Sequence, residues 1–493
     1  MSSVKSGTRE ALFEYLGVTE DLRGIGEQLY WDMTTHLPSQ SVRARGRQSA
    51  FVDGEVLRRS SSDELERLLG EMQGSSFDDD TALILQTAER DLHLARALPA
   101  SLIKEFSSCG AEAVEVWREA RKANDWLSFS PWLAKLVDLN RRIAEHIGYV
   151  DHPLDALLSI YEPGPTKRRV DVLVDSLREP LRRAVRPSRM SGGDPIAVAQ
   201  VVAEPSAVLE LVREIGVVLG FDYGRGMVAE SAHPATSSAG PEDVRITVRT
   251  DVPFPQVISA AVHEFGHALY DQGIDSRFWR TPVGRGSMPY VHESQSKFFE
   301  NHLLRHPGFS EMVAPMVHRH LDIDISAEDL HRALVDRETS MIRINSDEIG
   351  FMLHIIIRWD IECALLDDSL RAEDVPSAWN ERSEFYLGRS PIDDREGCLQ
   401  DPHWCHRFMG LFPGYLIGSV AAAQMWKASA VAGIDIEGCF SAQDLSPLVS
   451  WLRGAVHGAG RAYSIDQILV GMGEDGLNPD AYAELVLGAS HDG

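Results

Sequence analysis

The most informative segment of this chain reads Val257-Ile-Ser-Ala-Ala-Val-His263-Glu264-Phe-Gly-His267-Ala-Leu-Tyr270. Apolar residues recur in it every three or four positions, which predicts a helix with a buried face. His263 and His267 are four residues apart, so their imidazoles project from one face of that helix on successive turns. Two neutral imidazoles in this arrangement can bind one metal ion.

The residue that follows the first histidine is a carboxylate, Glu264. From that position it can accept a proton from a water molecule that the metal activates, without being a ligand itself. A second amphipathic run, over residues 290–300, contains Glu293, which we predict to be the third ligand. Three protein ligands and an open fourth position are typical of a catalytic zinc site, although cobalt or manganese would also fit. Zinc at His263, His267 and Glu293 predicts hydrolysis of peptide bonds, with Glu264 as general base.

Each part of this pattern has a structural alternative. Two histidines with this spacing also occur on helices that bind no metal, and Glu293 alone would be an ordinary helix glutamate. The combination of the two segments favours the metal site. A closed structural site is disfavoured because no suitable cysteine lies nearby in the sequence.

The bulk composition narrows the classes of function. The chain has 493 residues and a formal net charge of -26, which repels nucleic acids and anionic lipids. Its five cysteines are too few and too scattered for a disulfide framework, and neither a leader segment nor a membrane span is apparent. We therefore expect a cytoplasmic protein that binds neither nucleic acid nor membrane.

Helical periodicity dominates the rest of the chain, for example over residues 83–98. The best strand-like alternation covers residues 244–252, so we expect a small sheet there. Glycine and proline clusters predict loops over residues 190–195 and 234–241. Because no change in composition divides the chain, we expect a single catalytic domain over residues 1–493.

Further segments carry motifs of a known family. The motif DxRxT is matched by Asp243-Val-Arg245-Ile-Thr247, and GxxQDxHW by Gly397-Cys-Leu-Gln400-Asp401-Pro-His403-Trp404. Together with His263-Glu-Phe-Gly-His267 and His292-Glu-Ser-Gln-Ser296, these segments resemble the thermostable carboxypeptidase family, also called carboxypeptidase Taq-type. The resemblance runs along almost the whole chain.

The resemblance implies a mainly α-helical fold, with a deep active-site groove in a large helical body and a small β-sheet near the site. It also implies a homodimer that removes single residues from peptide C-termini with broad side-chain tolerance. The expected partner is therefore a peptide with a free C-terminal carboxylate. The chain departs from the family at Ala235, where His233-Pro234 is usually followed by Phe, and at Ser346, where the motif IRxxAD has alanine. We expect the first departure to affect groove shape or substrate preference.

A carboxypeptidase needs a cation for the terminal carboxylate of its substrate. Arginine suits this role because its planar fork donates two parallel hydrogen bonds. Arg343, in the segment that resembles IRxxAD, is the first candidate, and Arg245 is the second. The alternatives are that Arg343 pairs with Asp347 four residues along a helix, and that Arg245 braces Asp243.

Three other residues are candidates for contacting the substrate. A protonated imidazole at His403 or the phenol of Tyr415 would donate a hydrogen bond to the developing oxyanion. His233 precedes a proline, which favours an extended backbone and would direct its ring into the groove. A core histidine, a packing tyrosine and a loop-stabilising histidine are the respective alternatives.

The motifs favour a metal-dependent carboxypeptidase over two other functions. An oligopeptidase or aminopeptidase would use the same ligands, but would cleave internally or require a free amino end. A non-catalytic binding protein would keep the helical body, and the missing aromatic residue after Pro234 is its only support. The intact ligands and Glu264 argue against it.

Overall fold

The helix that carries both histidines, α10, spans Phe254–Gly273 and begins after Pro253. Pro255 lies in its first turn, where a backbone N–H would have no partner within the helix and where the fixed φ of proline suits helical geometry. Most residues of α10 are buried on all sides of the helix. It is therefore a central helix surrounded by other elements, whereas a surface helix would bury one stripe only.

The computed structural model describes residues 2–74, 76–185, 196–287, 289–335 and 339–488. The loop predicted over residues 190–195 lies outside these ranges. Before the sheet come α1 (Ser2–Thr35), α2 (Val42–Ser60), α3 (Asp63–Met72), α4 (Asp79–Ala97), α5 (Ala100–Ala123), α6 (Trp126–Ile147), α7 (Pro153–Tyr161), α8 (Lys167–Ala184) and α9 (Pro205–Leu219). After it come α10, α11 (Tyr290–Lys297), α12 (Pro307–Leu321), α13 (Ala327–Val335), α14 (Glu348–Leu366), α15 (Val375–Leu387), α16 (His403–His406), α17 (Pro413–Val431), α18 (Ile436–Ala442), α19 (Ser446–Ala455), α20 (Ile465–Gly471) and α21 (Pro479–Gly488). The mainly α-helical fold is confirmed.

A small sheet packs on α10. It consists of β1 (Gly226–Glu230), β2 (Ala235–Gly240) and β3 (Asp243–Val248). The spatial order is β1-β3-β2, with β1 parallel and β2 antiparallel to the central strand. Val244, Ile246 and Val248 alternate along β3 and are fully buried in the core.

Two predictions for the sheet region need correction. The strand predicted over residues 244–252 ends at Val248, because the chain then leaves the sheet and Arg249 pairs with Asp251. The loop predicted over residues 234–241 is wrong, since this segment forms β2. Its backbone pairs with β3, and these hydrogen bonds override the weak strand propensity of its small residues.

Two hydrophobic clusters are present in the described part of the molecule. The larger extends from Leu102 to Tyr482 and includes residues of the sheet, α10 and α17. The smaller joins α1, α3 and α4 to Ile274 and Val283, which follow α10. The single domain expected over residues 1–493 stays a prediction. None of the helices in the described ranges combines the length and the apolar content needed to cross a bilayer.

Helices α10, α11 and α17 approach closely because glycines lie at their contacts. A Cβ at Gly266 would lie 2.6 Å from the Cα of Ser296, and a Cβ at Gly418 would lie 2.8 Å from the Cβ of Glu293. Only glycine allows the backbones this close together. Helix α11 is thereby held between the other two, and it continues into a π-helical segment, Phe298–Leu303.

Replacing Gly266 tests this packing. We expect Gly266→Ala to lower the free energy of unfolding by about 1–3 kcal/mol, because the added methyl group forces two backbones apart. Gly54→Ala is the matched control, since no atom lies near the Cβ position of this α2 glycine; it should be neutral or stabilising by up to about 1 kcal/mol. Denaturant-induced unfolding measures both changes, and equal stabilities would contradict the close approach.

Candidate metal centre

Three donor groups converge between α10 and α11. The ligand atoms of His263, His267 and Glu293 all lie within 4.8 Å of one another, and in the described ranges no fourth histidine, cysteine or acidic residue joins them. The Nε2 atom of His267 is 4.0 Å from Oε2 of Glu293. The helical spacing places the two imidazoles together, and the docking of α11 adds the carboxylate. The structure thus brings together the three residues predicted as ligands.

The imidazole of His263 is oriented by a carboxylate from the π-helical segment. Its Nδ1 lies 2.9 Å from Oε2 of Glu300, which also accepts a hydrogen bond of 2.9 Å from Nζ of the buried Lys297. Because a carboxylate accepts, we assign the proton to Nδ1 of His263, and its Nε2 is then available to a metal.

A second set of contacts orients His267. Its Nδ1 lies 3.0 Å from the backbone oxygen of His292 and 2.6 Å from Nδ1 of the same residue. Because the backbone oxygen can only accept, Nδ1 of His267 is the donor and Nε2 is left for the metal. His292 in turn directs its Nε2 toward Asp271, at 3.4 Å. Burial and the two neighbouring imidazoles hold the pKa of His267 well below its usual value, so the ring is in the neutral form that a metal requires.

The carboxylate of Glu264 lies beside this group and is buried. Its Oε2 accepts a hydrogen bond of 2.7 Å from Oγ1 of Thr236, a residue of β2. Burial raises the pKa of Glu264, against the opposing effects of His263 and of this hydrogen bond. The sheet therefore fixes a carboxylate next to the three donors but outside their group.

The donor set fits a divalent ion of the zinc type. Zinc binds imidazole nitrogen and carboxylate oxygen at roughly 2.0–2.2 Å, so its donors lie at most about 4.4 Å apart. From the present spacing of up to 4.8 Å, a small side-chain movement brings the three donors within that limit. Glu293 is supported as well, because Oγ of Ser296 donates to its Oε2 at 3.2 Å.

A cavity of about 390 Å³ opens beside these residues. Its walls include His263, Lys297, Arg343, Ser346, Phe351 and Tyr415. Of the two departures from the family motifs, Ser346 lies in this wall, and Ala235 follows the lining residue Pro234 in the sequence. Ala235 begins β2 next to Pro234 in the cavity wall, and the hydroxyl of Ser346 accepts a hydrogen bond of 3.0 Å from the backbone N–H of Ser340. The hydroxyl group that Ser346 has in place of the family's alanine is therefore hydrogen-bonded to the backbone.

Arg343 is fixed by an acidic residue that is distant in sequence. Its Nε and Nη2 donate to the two carboxylate oxygens of Asp401, at 3.2 and 3.1 Å. Asp347, the local partner considered from the sequence, instead accepts a hydrogen bond of 2.8 Å from the backbone N–H of Gly350 at the start of α14. The guanidinium of Arg343 thus forms part of the cavity wall in a fixed plane.

Of the two candidate donors to the oxyanion, Tyr415 lines the cavity, whereas His403 is not among its described lining residues. Tyr415 lines it, and burial together with Glu293 raises its pKa to about 12, so the phenol keeps its proton at neutral pH. His403 packs on the ring of Phe412 at 5.2 Å, with its Nδ1 3.6 Å from Oδ1 of Asp401. Burial lowers the pKa of His403 to about 4, so this imidazole is neutral at pH 7. Tyr415 is the better placed donor.

Arg245 and His233 lie at the sheet. Arg245 donates to both carboxylate oxygens of Asp243, at 2.7 and 2.6 Å, and lies over the ring of Trp31. His233 is exposed just before β2, and its backbone oxygen accepts a hydrogen bond of 2.9 Å from Oγ1 of Thr247. Neither residue is among the described residues that line the cavity. In the structure Arg245 therefore forms an ion pair with Asp243 and does not line the cavity.

Four supporting residues were given no role from the sequence: Thr236, Asp271, His292 and Glu300. Spacing could have identified two of them, since Asp271 comes four residues after His267 and Glu300 comes seven residues after Glu293. His292 adjoins Glu293, but its contact with His267 exists only once two helices are docked. No pattern in the sequence indicated a role for Thr236, because its segment was predicted to be a loop.

Two histidines and one glutamate are the ligand set of the catalytic zinc in several peptidases. The family model described as carboxypeptidase Taq (M32) metallopeptidase matches residues 11–487. The chain is 32% identical over 459 residues to carboxypeptidase 1 of Bacillus subtilis, with 91% of each protein covered. It is 33% identical over 473 residues to thermostable carboxypeptidase 1 of Thermus thermophilus, with 92% of each covered. The chain belongs to the carboxypeptidase Taq (M32) family of metallopeptidases.

Solved structures agree with this assignment. A carboxypeptidase of Pyrococcus furiosus matches with a TM-score of 0.93 at 29% identity, over 98% of this chain and 99% of that one. Metallocarboxypeptidase 1 of Trypanosoma cruzi matches with a TM-score of 0.93 at 28% identity, over 99% and 100%. The predicted family, fold class and enzyme class, a metallocarboxypeptidase that hydrolyses peptide bonds with a divalent metal ion, are confirmed.

Removing the charge of Glu300 tests how His263 is oriented. Glu300→Gln should weaken the binding of a divalent ion about 10–100-fold, because the partner that fixes the imidazole is altered. Glu311→Gln is the control, since Glu311 is an exposed glutamate of α12. Competition with a chromophoric chelator measures both affinities. Unchanged affinity in Glu300→Gln would show that other contacts orient the ring.

Proposed function

We propose that the protein is a zinc carboxypeptidase that removes residues one at a time from the C-termini of peptides, with broad tolerance for the side chain removed. The observation that carries this proposal is the position of Glu264, whose carboxylate is fixed by Thr236 beside the donors of His263, His267 and Glu293. The family supplies the class of reaction, and these residues supply a general base next to a three-donor metal group.

His263, His267 and Glu293 hold the ion, which when bound lowers the pKa of water and polarises a carbonyl group. Glu264 takes a proton from the attacking water as the water oxygen bonds to the scissile carbonyl carbon. It gives that proton to the amine nitrogen as the C–N bond breaks. The products are a free amino acid and a shortened peptide with a new carboxylate. Thr236 positions Glu264 for both transfers through one carboxylate oxygen.

The terminal carboxylate of the substrate is proposed to bind at Arg343. The contact with Asp401 occupies Nε and Nη2 of Arg343 and fixes its plane, so that Nη1 is the group left for the substrate. Tyr415 lies close by, with its ring centroid 5.7 Å from Cζ of Arg343, and its protonated phenol can donate to the substrate. Both residues line the cavity that includes His263. For Arg245 we propose a structural role, in which its ion pair with Asp243 stabilises the sheet.

The identity of the metal, the oligomeric state and the compartment belong to the same proposal. Two imidazoles and a carboxylate suit zinc, and cobalt or manganese could replace it. All five cysteines are free, which supports a reducing compartment such as the cytoplasm. The homodimer rests on the resemblance to the family, and the single domain is supported by the large continuous core.

Glu264→Gln separates catalysis from metal binding. On an N-acylated dipeptide, kcat should fall about 10²–10⁴-fold because the general base is lost, while zinc affinity stays close to that of the wild type. Release of free amino acid measures turnover, and chelator competition measures affinity. A variant that still turns over at the wild-type rate would remove Glu264 from the mechanism. Wild-type cleavage of the C-terminally amidated peptide would indicate an endopeptidase instead.

Arg343→Lys tests recognition of the terminal carboxylate. We expect kcat/KM for an N-acylated dipeptide to fall about 10–100-fold, because one ammonium group cannot serve Asp401 and the substrate together. Arg245→Lys is the matched control, since it breaks a comparable paired contact at the sheet. Steady-state kinetics of both variants give the comparison. Equal losses would assign the effect to weakened structure rather than to a lost substrate contact.

A further inference from the structure

The wall of the cavity beside the three donor groups leaves one large apolar side chain open to solvent. Ile344 is 67% exposed, whereas Leu304 and Leu334 of the same wall are buried in the core. In the described part of the wall, no other large apolar side chain is mostly exposed. An apolar side chain that is open inside a cavity can bury an apolar group of a ligand.

The position of Ile344 is fixed by the segment that also carries Arg343. Ile344 lies in the middle of a short 3₁₀ turn, Arg343–Asn345. The backbone N–H of Arg343 donates to Oε1 of Gln400 at 2.9 Å, and the backbone N–H of Ser346 donates to the backbone oxygen of Arg343 at 3.2 Å. The side chain of Arg343 is buried, while that of Ile344 is open to the cavity. The two side chains are therefore held in different directions by one turn.

The proposed binding of the terminal carboxylate places the side chain of the removed residue close to Ile344. In an amino acid the carboxylate and the side chain are attached to the same carbon atom. A residue whose carboxylate binds Arg343 must therefore place its side chain a few ångströms from that guanidinium group. The cavity that receives this side chain is lined by both Arg343 and Ile344.

The charged groups around the cavity are matched by one another. The described wall contains three lysine or arginine side chains and two carboxylates: Lys297, Arg305, Arg343, Glu300 and Glu348. Glu300 accepts a hydrogen bond of 2.9 Å from Lys297, and Asp401 holds Arg343. Burial raises the pKa of Glu348, and Lys297 and Arg305 oppose this rise, so Glu348 faces two cations. With Asp401 included, three carboxylates balance three cations, and no excess charge selects a charged side chain.

We propose that Ile344 is a specificity-determining residue, which contacts the side chain of the removed residue and favours an apolar side chain over a charged one. Burial against Ile344 stabilises a bound apolar side chain. A charged side chain would lose part of its hydration there without gaining a partner of opposite charge. This role of Ile344 rests on the proposed function, and it narrows the broad side-chain tolerance to uncharged residues.

The test measures kcat/KM for N-acylated dipeptides that differ only in their last residue, which is leucine, lysine or glutamate. We expect the wild type to favour leucine over both charged residues by about tenfold or more. Ile344→Asp should raise the lysine-to-leucine ratio of kcat/KM about fivefold, and Ile344→Lys should raise the glutamate-to-leucine ratio by a similar factor. Each variant supplies the opposite charge that the wild-type cavity lacks.

Ile392→Asp is the matched control. Ile392 is 87% exposed and is not among the described residues that line the cavity, so the same substitution there should leave both ratios unchanged. The two Ile344 variants should shift the ratios in opposite directions. A general loss of stability cannot produce opposite shifts, because it would lower turnover of all three peptides together.

Three results would overturn the role of Ile344: equal kcat/KM of the wild type for all three peptides, wild-type ratios in both Ile344 variants, or the same shifts in Ile392→Asp. If no peptide is hydrolysed, the proposed function fails, and calorimetric titration of the same peptides into zinc-loaded wild type and Ile344→Asp decides the inference. Tighter binding of the lysine peptide by Ile344→Asp would support the inference, whereas equal binding or no binding would overturn it.

Discussion

The imidazoles of His263 and His267, the proposed metal ligands, are each held by a hydrogen bond at Nδ1. Glu300 holds His263, and the backbone oxygen of His292 holds His267. These bonds select the tautomer in which Nε2 is free, so the site is ready for a metal before one binds. Both acceptors come from α11 or the π-helical segment after it. The chemistry therefore depends on the docking of α11 against α10, which Gly266 makes close enough.

The parts of the site that lie on one helix could be predicted from the sequence. His263 and His267 share a face because of the helical repeat, which is a local property. Arg343 shows the limit of such reasoning: the sequence offered Asp347 four residues away, whereas the partner in the structure is Asp401, 58 residues away. Packing of distant segments decides that choice. The periodicity of the helices nevertheless predicted the mainly α-helical fold.

The small sheet shows a second limit of prediction from the sequence, which concerns where strands form. The apolar alternation of β3 predicted a strand, although the strand ends earlier than expected. Strand β2 is built from small and polar residues, and only its pairing with β3 makes it extended. Thr236 on this strand is the partner of Glu264, so the residue that positions the proposed general base could not be found from local propensity.

The formal net charge of -26 does not describe the wall of the cavity beside the donors, which contains cations. The overall charge acts at long range and is screened by salt within about 10 Å at 0.1 M. Lys297 and Arg343 lie in this wall, where Glu300 and Asp401 respectively hold them in place. A local cation, rather than the total charge, is thus the proposed basis for binding the terminal carboxylate of a peptide.

The most direct examination of this metal centre is anomalous X-ray diffraction from crystals of the zinc-loaded protein, recorded on both sides of the zinc absorption edge. The account predicts one peak at roughly 2.0–2.2 Å from Nε2 of His263, Nε2 of His267 and the carboxylate of Glu293. Zinc bound through Nδ1 of either histidine, or placed away from these three residues, would contradict it.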